Sequence, residues 1–395
     1  MKKLLVLIIA IAMVSSIYAA DLNPATNNAF AKVSTIGSVI DARTIAMGGA
    51  GLADANNYQS LWNNPARLGE KNIQFSLPAV GITLYNTLEI AKSLPESGDV
   101  DTDTIINAAL NSLTTGYGKI IDMDAQVSFT AGGFGLGIST KNSIYTYAPL
   151  TSSGGVNSKF YDAMSVNALV GYGYKFNPNG LFSVSVGASV GASALIYTDL
   201  IGASNLTSIL NSDEAINQII DKTPLAFGYS IPVKAALSLD MPLGLSISTV
   251  AKINNAYSMY YAENKSAFEN ENASFDEFKI DVPFTIDAGA AWSINFLGKF
   301  LRPVIAVDVV DVVGLVQSKD FSKENLFKHV KAGAEIRGLW ILDVRAGLNE
   351  GYWTAGAAVD LGIINLEAAY HWQEMGANLG QKGVDALTIK ANIGW

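Results

Sequence analysis

The sequence predicts an all-β protein: a transmembrane antiparallel β-barrel of about fourteen strands. Three observations predict it. Apolar and polar residues alternate strictly over one stretch after another, the period of a strand with one greasy and one polar side. The connections between those stretches alternate long and short, with one short exception at Asn349–Gly351. A secretory signal precedes them, and no later apolar run is long enough for a membrane-spanning helix. A chain of this kind can only enter a bilayer as a closed sheet, because open edges cannot face lipid.

Composition narrows the rest. The chain has 395 residues, a net charge of −9, 15% charged and 49% hydrophobic residues, and no cysteine. Disulfides, thiolate catalysis and Cys-ligated metals are excluded. Two histidines, His329 and His371, leave little for a His-based triad or zinc site. The acidic balance argues against nucleic acid as a partner. No cofactor is expected. An acidic soluble enzyme would carry more surface charge, whereas a barrel facing lipid needs little.

The chain divides at 1–20, 21–71 and 72–395. Lys2 and Lys3 followed by the apolar run Leu4–Val14 and the small residues near Ala19 and Ala20 read as a cleaved signal peptide. Residues 21–71 are rich in Ala, Gly and Asn and alternate poorly, as a compact plug would. Gly48, Gly49 and Gly51 permit tight turns and close packing, and Asn64 before Pro65 reads as an N-cap with proline at the first helical position. The arrangement Arg43, Met47-Gly48-Gly49-Ala50, Ala53-Asp54-Ala55 and Asn64-Pro65-Ala66 resembles the N-terminal hatch of the FadL-like outer-membrane transport proteins. That resemblance implies a fourteen-stranded, hatch-plugged barrel that passes long-chain fatty acids or other hydrophobic compounds across the outer membrane, without enzymatic chemistry. Similar hatches occur in PorV-like barrels tied to protein secretion, so a docking or shuttle role is the alternative. Either way the expected partners include outer-membrane lipid and the machinery that assembles outer-membrane barrels. Localisation is the bacterial outer membrane, with both termini periplasmic.

The strands follow in order. Ile73–Tyr85 is the first, with a bend at Pro78. Ala125–Ala131 and Phe134–Ile138 flank the Gly132-Gly133 turn; Met164–Phe176 and Val184–Ile196 flank 177–180. Ile231–Leu239, Leu245–Ile253, Phe278–Trp292, Leu301–Val310, Val330–Ile336, Leu342–Leu348, Trp353–Val359 and Ile364–Trp372 continue the set. Leu387, Ile389, Ala391, Ile393 and Trp395 form the apolar face of the last, opposite Thr388, Lys390, Asn392 and Gly394. Tyr145, Tyr147, Tyr172, Tyr174, Trp292, Trp340, Trp353, Trp372 and Trp395 fall mostly near strand ends, as interfacial girdles do.

Parity along these strands turns Lys175, Lys234, Lys252, Lys279, Asp281, Asp287, Arg302, Asp308, Lys331, Glu335, Arg337, Asp343, Arg345, Asp360, Glu367 and Lys390 toward the lumen, and His371 with them. Asp308, Lys331, Glu335, Arg337, Asp343 and Arg345 come from three consecutive strands. Charges there must be paired, so a network holding the hatch is one reading. A surplus Arg or Lys receiving a carboxylate headgroup is the other. Two long connections carry helical stripes, Ile105, Ile106 and Leu110, then Leu206, Ile209, Leu210, Ile216 and Ile220. They fit an extracellular docking surface for a hydrophobic ligand, or a self-packed lid. Gly187-Ala188-Ser189-Val190-Gly191 matches G-x-S-x-G but lies inside a strand, not a strand–turn–helix. Asp99, Asp101 and Asp103 resemble a calcium loop without its glycine and terminal glutamate. No metal site is expected.

Overall fold

Alternation of this kind can be satisfied by a sheet that buries its polar face and exposes its apolar one, and that is the architecture found. The computed structural model describes residues 40–55, 58–70, 73–93, 116–148, 159–177, 181–200, 225–254, 256–262, 276–294, 301–339, 341–376 and 378–394. The predicted signal peptide and both predicted loop stripes, from Ile105 to Leu110 and from Leu206 to Ile220, lie outside these residues, as do Trp340 and Trp395.

The strand segments are β1 (Gln74–Tyr85), β2 (Gly116–Ala131), β3 (Phe134–Ala148), β4 (Lys159–Phe176), β5 (Ser183–Leu200), β6 (Leu225–Ser230), β7 (Pro232–Asp240), β8 (Leu245–Asn254) and β9 (Tyr257–Ala262). They continue as β10 (Asp276–Ile280), β11 (Thr285–Ser293), β12 (Arg302–Val309), β13 (Val330–Leu339), β14 (Leu342–Asn349), β15 (Tyr352–Asp360), β16 (Ile364–Glu374) and β17 (Gly383–Gly394). All pair antiparallel in one sheet, and β1 pairs with both β2 and β17, so the sheet closes on itself. Three staves are each broken once, at β6/β7, β8/β9 and β10/β11. The seventeen segments therefore make a fourteen-stave barrel, as the alternation predicts.

The side chains are inverted relative to a water-soluble sheet. Ser139, Ser185, Ser189, Ser238, Ser248, Gln126 and Thr388 are buried, while Ile138, Val186, Val190, Leu237, Ile247, Ile305 and Ile389 are exposed. Lys390 on the last strand is 1% exposed, whereas its neighbour Ile389 is among the exposed apolar residues. Exposed Tyr172, Tyr174, Phe176 and Trp292 lie toward the short-turn end, and Trp353 toward the other. Serine, glutamine and lysine turned inward and valine, leucine and isoleucine turned outward require an apolar solvent around the barrel.

Turn parity holds among the described connections with one exception, the tight turn at Glu350-Gly351 between β14 and β15, which lies at the long-connection end. Short turns at 132–133, 241–244 and 361–363 share one end with the start of β1 and the end of β17. The longer connections share the other, where helices α3 (Thr87–Ser93), α4 (Val312–Ser318) and α5 (Lys323–His329) sit.

The predicted strand Phe278–Trp292 is not continuous. Residues 281–284 leave the ladder, and Pro283 has no N–H to give it. Ile280 is buried while Lys279 and Asp281 are exposed, so the alternation changes phase across the break. Lys279 and Asp281 therefore do not face the lumen as parity predicted. β8/β9 changes phase at the same height: Val250 is buried below the break and Met259 above it.

Candidate functional site: the lumen cavity and the segment that floors it

Residues 40–55 and 58–70 lie within the barrel and include two short helices, α1 (Ala42–Ala46) and α2 (Ser60–Asn63), and a 3-10 turn at Pro65–Glu70. Asp41 caps α1, accepting from the Thr44 N–H at 3.3 Å and the Thr44 hydroxyl at 2.7 Å, and it accepts from Asn63 at 2.9 Å. The Asn64 side-chain oxygen accepts from the Ala66 N–H at 3.2 Å. Its amide donates to the Leu52 carbonyl at 2.9 Å and to Ser238 on the wall at 3.3 Å. The Asn-Pro-Ala turn is thus held from both sides.

Close approach requires glycine where this segment meets the wall. A Cβ on Gly347 would stand 2.3 Å from the Met47 carbonyl carbon, and one on Gly333 2.3 Å from the Met47 oxygen. A Cβ on Gly187 would stand 2.3 Å from Pro65. That gives the G-x-S-x-G match its reason: Gly187 makes room for the Asn-Pro-Ala turn. Gly347→Val is expected to lower stability by about 1–3 kcal/mol, because backbone on the other side cannot rotate away. The check is the midpoint of urea unfolding in detergent; an unchanged midpoint removes the close approach from the account.

Charge ties the same segment to β13 and β14. The Arg43 guanidinium meets Glu335 at 2.8 Å and Asp54 at 2.7 Å. Arg337 donates to Glu335 at 2.5 Å and also pairs with Asp54. Arg345 donates to Glu335 at 2.7 Å and lies 3.5 Å from Asp343 and 3.7 Å from Glu367. Burial alone would push the Arg43 guanidinium down, but Glu335 and Asp54 outweigh it and hold it above its ordinary value. Asp308 accepts from the N–H groups of Gly51 and Leu52 at 2.8 and 2.9 Å. Lys331 donates to Asn349 and sits 3.7 Å from Glu350. A second clasp joins Arg67 to Asp240 at 2.7 Å, and Lys175 to Glu70 at 2.8 Å and Asp240 at 3.2 Å. Of the six wall charges singled out from sequence, five are engaged with this segment or with one another and Lys331 with Asn349 and Glu350, and none of the cations among them is in surplus. Arg302 and Asp360, at the short-turn ends of their strands, are exposed.

Beyond this floor lies a cavity of about 690 Å³. Ile40, Ile45, Leu52 and Trp62 line it from the floor side. From the wall, two patches of lysine face it. Lys119 and Lys141 share one carboxylate, Asp122, at 3.2 and 3.6 Å. Lys234 and Lys252 stand directly opposite each other on β7 and β8. Like charges so placed repel. Asp287 pairs with Lys252 at 2.5 Å, but Lys234 makes no ion pair among the described residues and donates only to the Trp62 carbonyl. The surplus cation is therefore here, not in the Arg43 cluster. His371 also lines the cavity, with its ring edge-on to Tyr85 at 6.5 Å.

Sequence reasoning missed Lys119, Asp122 and Lys141. It began β2 at Ala125, because the register shift between Lys119 and Ile121 breaks the alternation upstream. It also missed that the cavity reaches the broken staves, where Pro232, Tyr257, Val282 and Pro283 line it. The β11–β12 ladder stops at Ala288–Val309, where β12 gives way to α4. The described ladder of β10 is with β9. A notch in the wall thus stands beside the cavity, closed by α4, which packs on β11 with the Asp311 N–H donating to Asp287 at 2.9 Å.

No protein-family model and no curated protein matches the sequence. Among solved structures the chain is similar to the Ralstonia pickettii toluene transporter TbuX, at 12% identity and a TM-score of 0.46, covering 91% of this chain and 98% of that one. It is similar to the P. putida toluene transporter TodX at 10% identity and 0.46, covering 91% and 98%. It is similar to a Pseudomonas aeruginosa FadL homologue at 10% and 0.45, covering 90% and 98%. Likeness at this level carries no argument about cargo or site residues.

Proposed function

We propose that this chain is an outer-membrane channel for hydrophobic compounds, long-chain fatty acids among them, working by passive diffusion through a hatch-bounded cavity. One observation carries the reading: an apolar-belted closed barrel holds a cavity floored by its own N-terminal segment, and that cavity reaches a notch in the wall. An apolar chain entering from the long-loop end has Ile40, Ile45, Leu52 and Trp62 to lie against. Movement of α4 off the notch offers a way into the bilayer, and a shift of the hatch offers a way to the periplasm at the short-turn end. The Lys234 ammonium, opposed by Lys252 and lacking a carboxylate of its own, suits an anionic head. No bond of the ligand is made or broken, so no nucleophile or base is required.

The test compares laurate with dodecanol, binding to the purified barrel in detergent. Lys234→Met is expected to weaken laurate about tenfold or more, the value of a charge-assisted hydrogen bond in a dry site, and to leave dodecanol unchanged. Failure of the wild-type protein to bind either compound, or to speed entry of either into proteoliposomes, overturns the channel reading.

A further inference from the structure

β12 has eight residues, Arg302–Val309, whereas β4 and β5 have eighteen each. A tilted strand needs about 9–11 residues to cross the hydrocarbon layer. On this side the wall is short, and the chain leaves it while still near the apolar belt. Outward-facing Ile305 and Val307 are exposed members of that belt. Val307 stands on one ladder row with Ala332, Leu348 and Trp353, and exposed Trp353 is an interfacial type of residue. Val310 follows Val307 by three residues, about 10 Å of strand.

What comes next is built, not loose. Asp311 caps α4 through the Gly314 N–H at 3.0 Å, and Ser322 caps α5 through the Asn325 N–H at 3.3 Å. Asn325 reaches back to Ser318 at 3.2 Å and to the Asp320 carbonyl at 2.7 Å, locking the two helices together. Leu315 is buried against the barrel, yet Val316 is 59% and Phe321 62% exposed, and Leu326 and Phe327 are exposed with them. Lys319, Lys323 and Lys328 are interleaved among these four and outnumber the acidic residues there, Asp320 and Glu324, by one. Large apolar side chains set among lysines on a short amphipathic element are the composition of a segment lying in the membrane interface. A loop standing free in water gains nothing from holding them out.

We propose that the α4–α5 hairpin lies in the bilayer interface at the long-loop end. Val316, Phe321, Leu326 and Phe327 sit at the level of the upper acyl chains, and Lys319, Lys323 and Lys328 meet anionic lipid headgroups. The hairpin then acts as a lipid-seated flap beside the notch. This rests on the reading of the barrel as membrane-spanning and adds a lipid contact that the barrel alone does not require.

The chain has no cysteine, so single-cysteine labelling is clean. Val316→Cys, Phe321→Cys and, as a belt reference, Leu237→Cys are each given a nitroxide and reconstituted into vesicles of phosphatidylethanolamine and phosphatidylglycerol. Collisions with oxygen, which concentrates in lipid, are compared with collisions with a water-soluble nickel chelate. The expected result is that positions 316 and 321 favour oxygen severalfold, at shallower depth than 237. Preference for nickel at 316 and 321 with oxygen at 237 places the hairpin in water and overturns the inference alone. Low collision with both reagents means that protein covers the hairpin, which overturns it equally. Nickel preference at 237 overturns the membrane reading, and the inference with it.

Discussion

Glu335→Leu is expected to destabilise the barrel by about 3–5 kcal/mol, the cost of removing one member of a buried ion network, and to free the N-terminal segment. Glu335 is 1% exposed and accepts from three guanidiniums, on Arg43, Arg337 and Arg345. Without it Arg43 and Arg337 compete for Asp54 alone, and Arg345 falls back on Asp343 and Glu367, at 3.5 and 3.7 Å. Leucine fills the volume but leaves the cations poorly matched in a confined space. Urea titration with refolding into vesicles reads the loss. Trypsin reads the release, because Arg43 and Arg67 are buried and become cleavable only if the segment leaves the wall. Adding Arg43→Met to Glu335→Leu removes one stranded cation and is expected to recover part of the stability while leaving the segment loose. Those two readouts then separate, as coupled neighbours require. If Glu335→Leu behaves like the parent in both assays, the Arg43 cluster is not what holds the segment.

The barrel was legible because a strand's two faces see two solvents, and period two writes that difference into every stretch such as Val184–Ile196 or Leu387–Ile393. The notch was not. Its staves break where a phase change is needed, and a phase change erases the signal being read: Phe278 to Trp292 looks continuous only if Ile280 and Ile286 are taken to face one way. Pro283 was the available sign, since proline cannot sit in the middle of a paired strand. The α4–α5 hairpin also left marks in sequence. Ser322 opens a turn with Glu324 in its first turn and Lys328 and His329 in its last, the charge order of a helix end to end. The wall charges were found by parity, but parity cannot say which are spent. That needs partners from residues far away in sequence, such as Asp54 for Arg337, or Asp287 for Lys252.

Leu237→Arg carries the second large effect, and its sign depends on what surrounds the barrel. Leu237 is 49% exposed and pairs across the ladders with Val186 on β5 and Thr249 on β8, mid-length on β7. On a protein in water, replacing a half-exposed leucine by arginine changes stability by less than about 0.5 kcal/mol. In a bilayer the guanidinium must reach a headgroup or drag water inward, which costs about 1–3 kcal/mol at this depth, between the short-turn interface and the midplane. Its neighbour Ser238 points the other way, 1% exposed, and accepts from Asn64 while sharing a hydrogen bond with Ser248. Ser238→Ala should cost about 0.5–1.5 kcal/mol, because the Asn64 amide keeps its bond to the Leu52 carbonyl and only the bond shared with Ser248 is lost outright. The pair thus reports the two solvents from adjacent residues. Measured by urea refolding into vesicles, Leu237→Arg should lose about twice what Ser238→Ala loses, and the gap should shrink in a thinner bilayer, where the arginine reaches the headgroups more easily. Equal losses at the two positions would mean that the greasy face does not meet acyl chains.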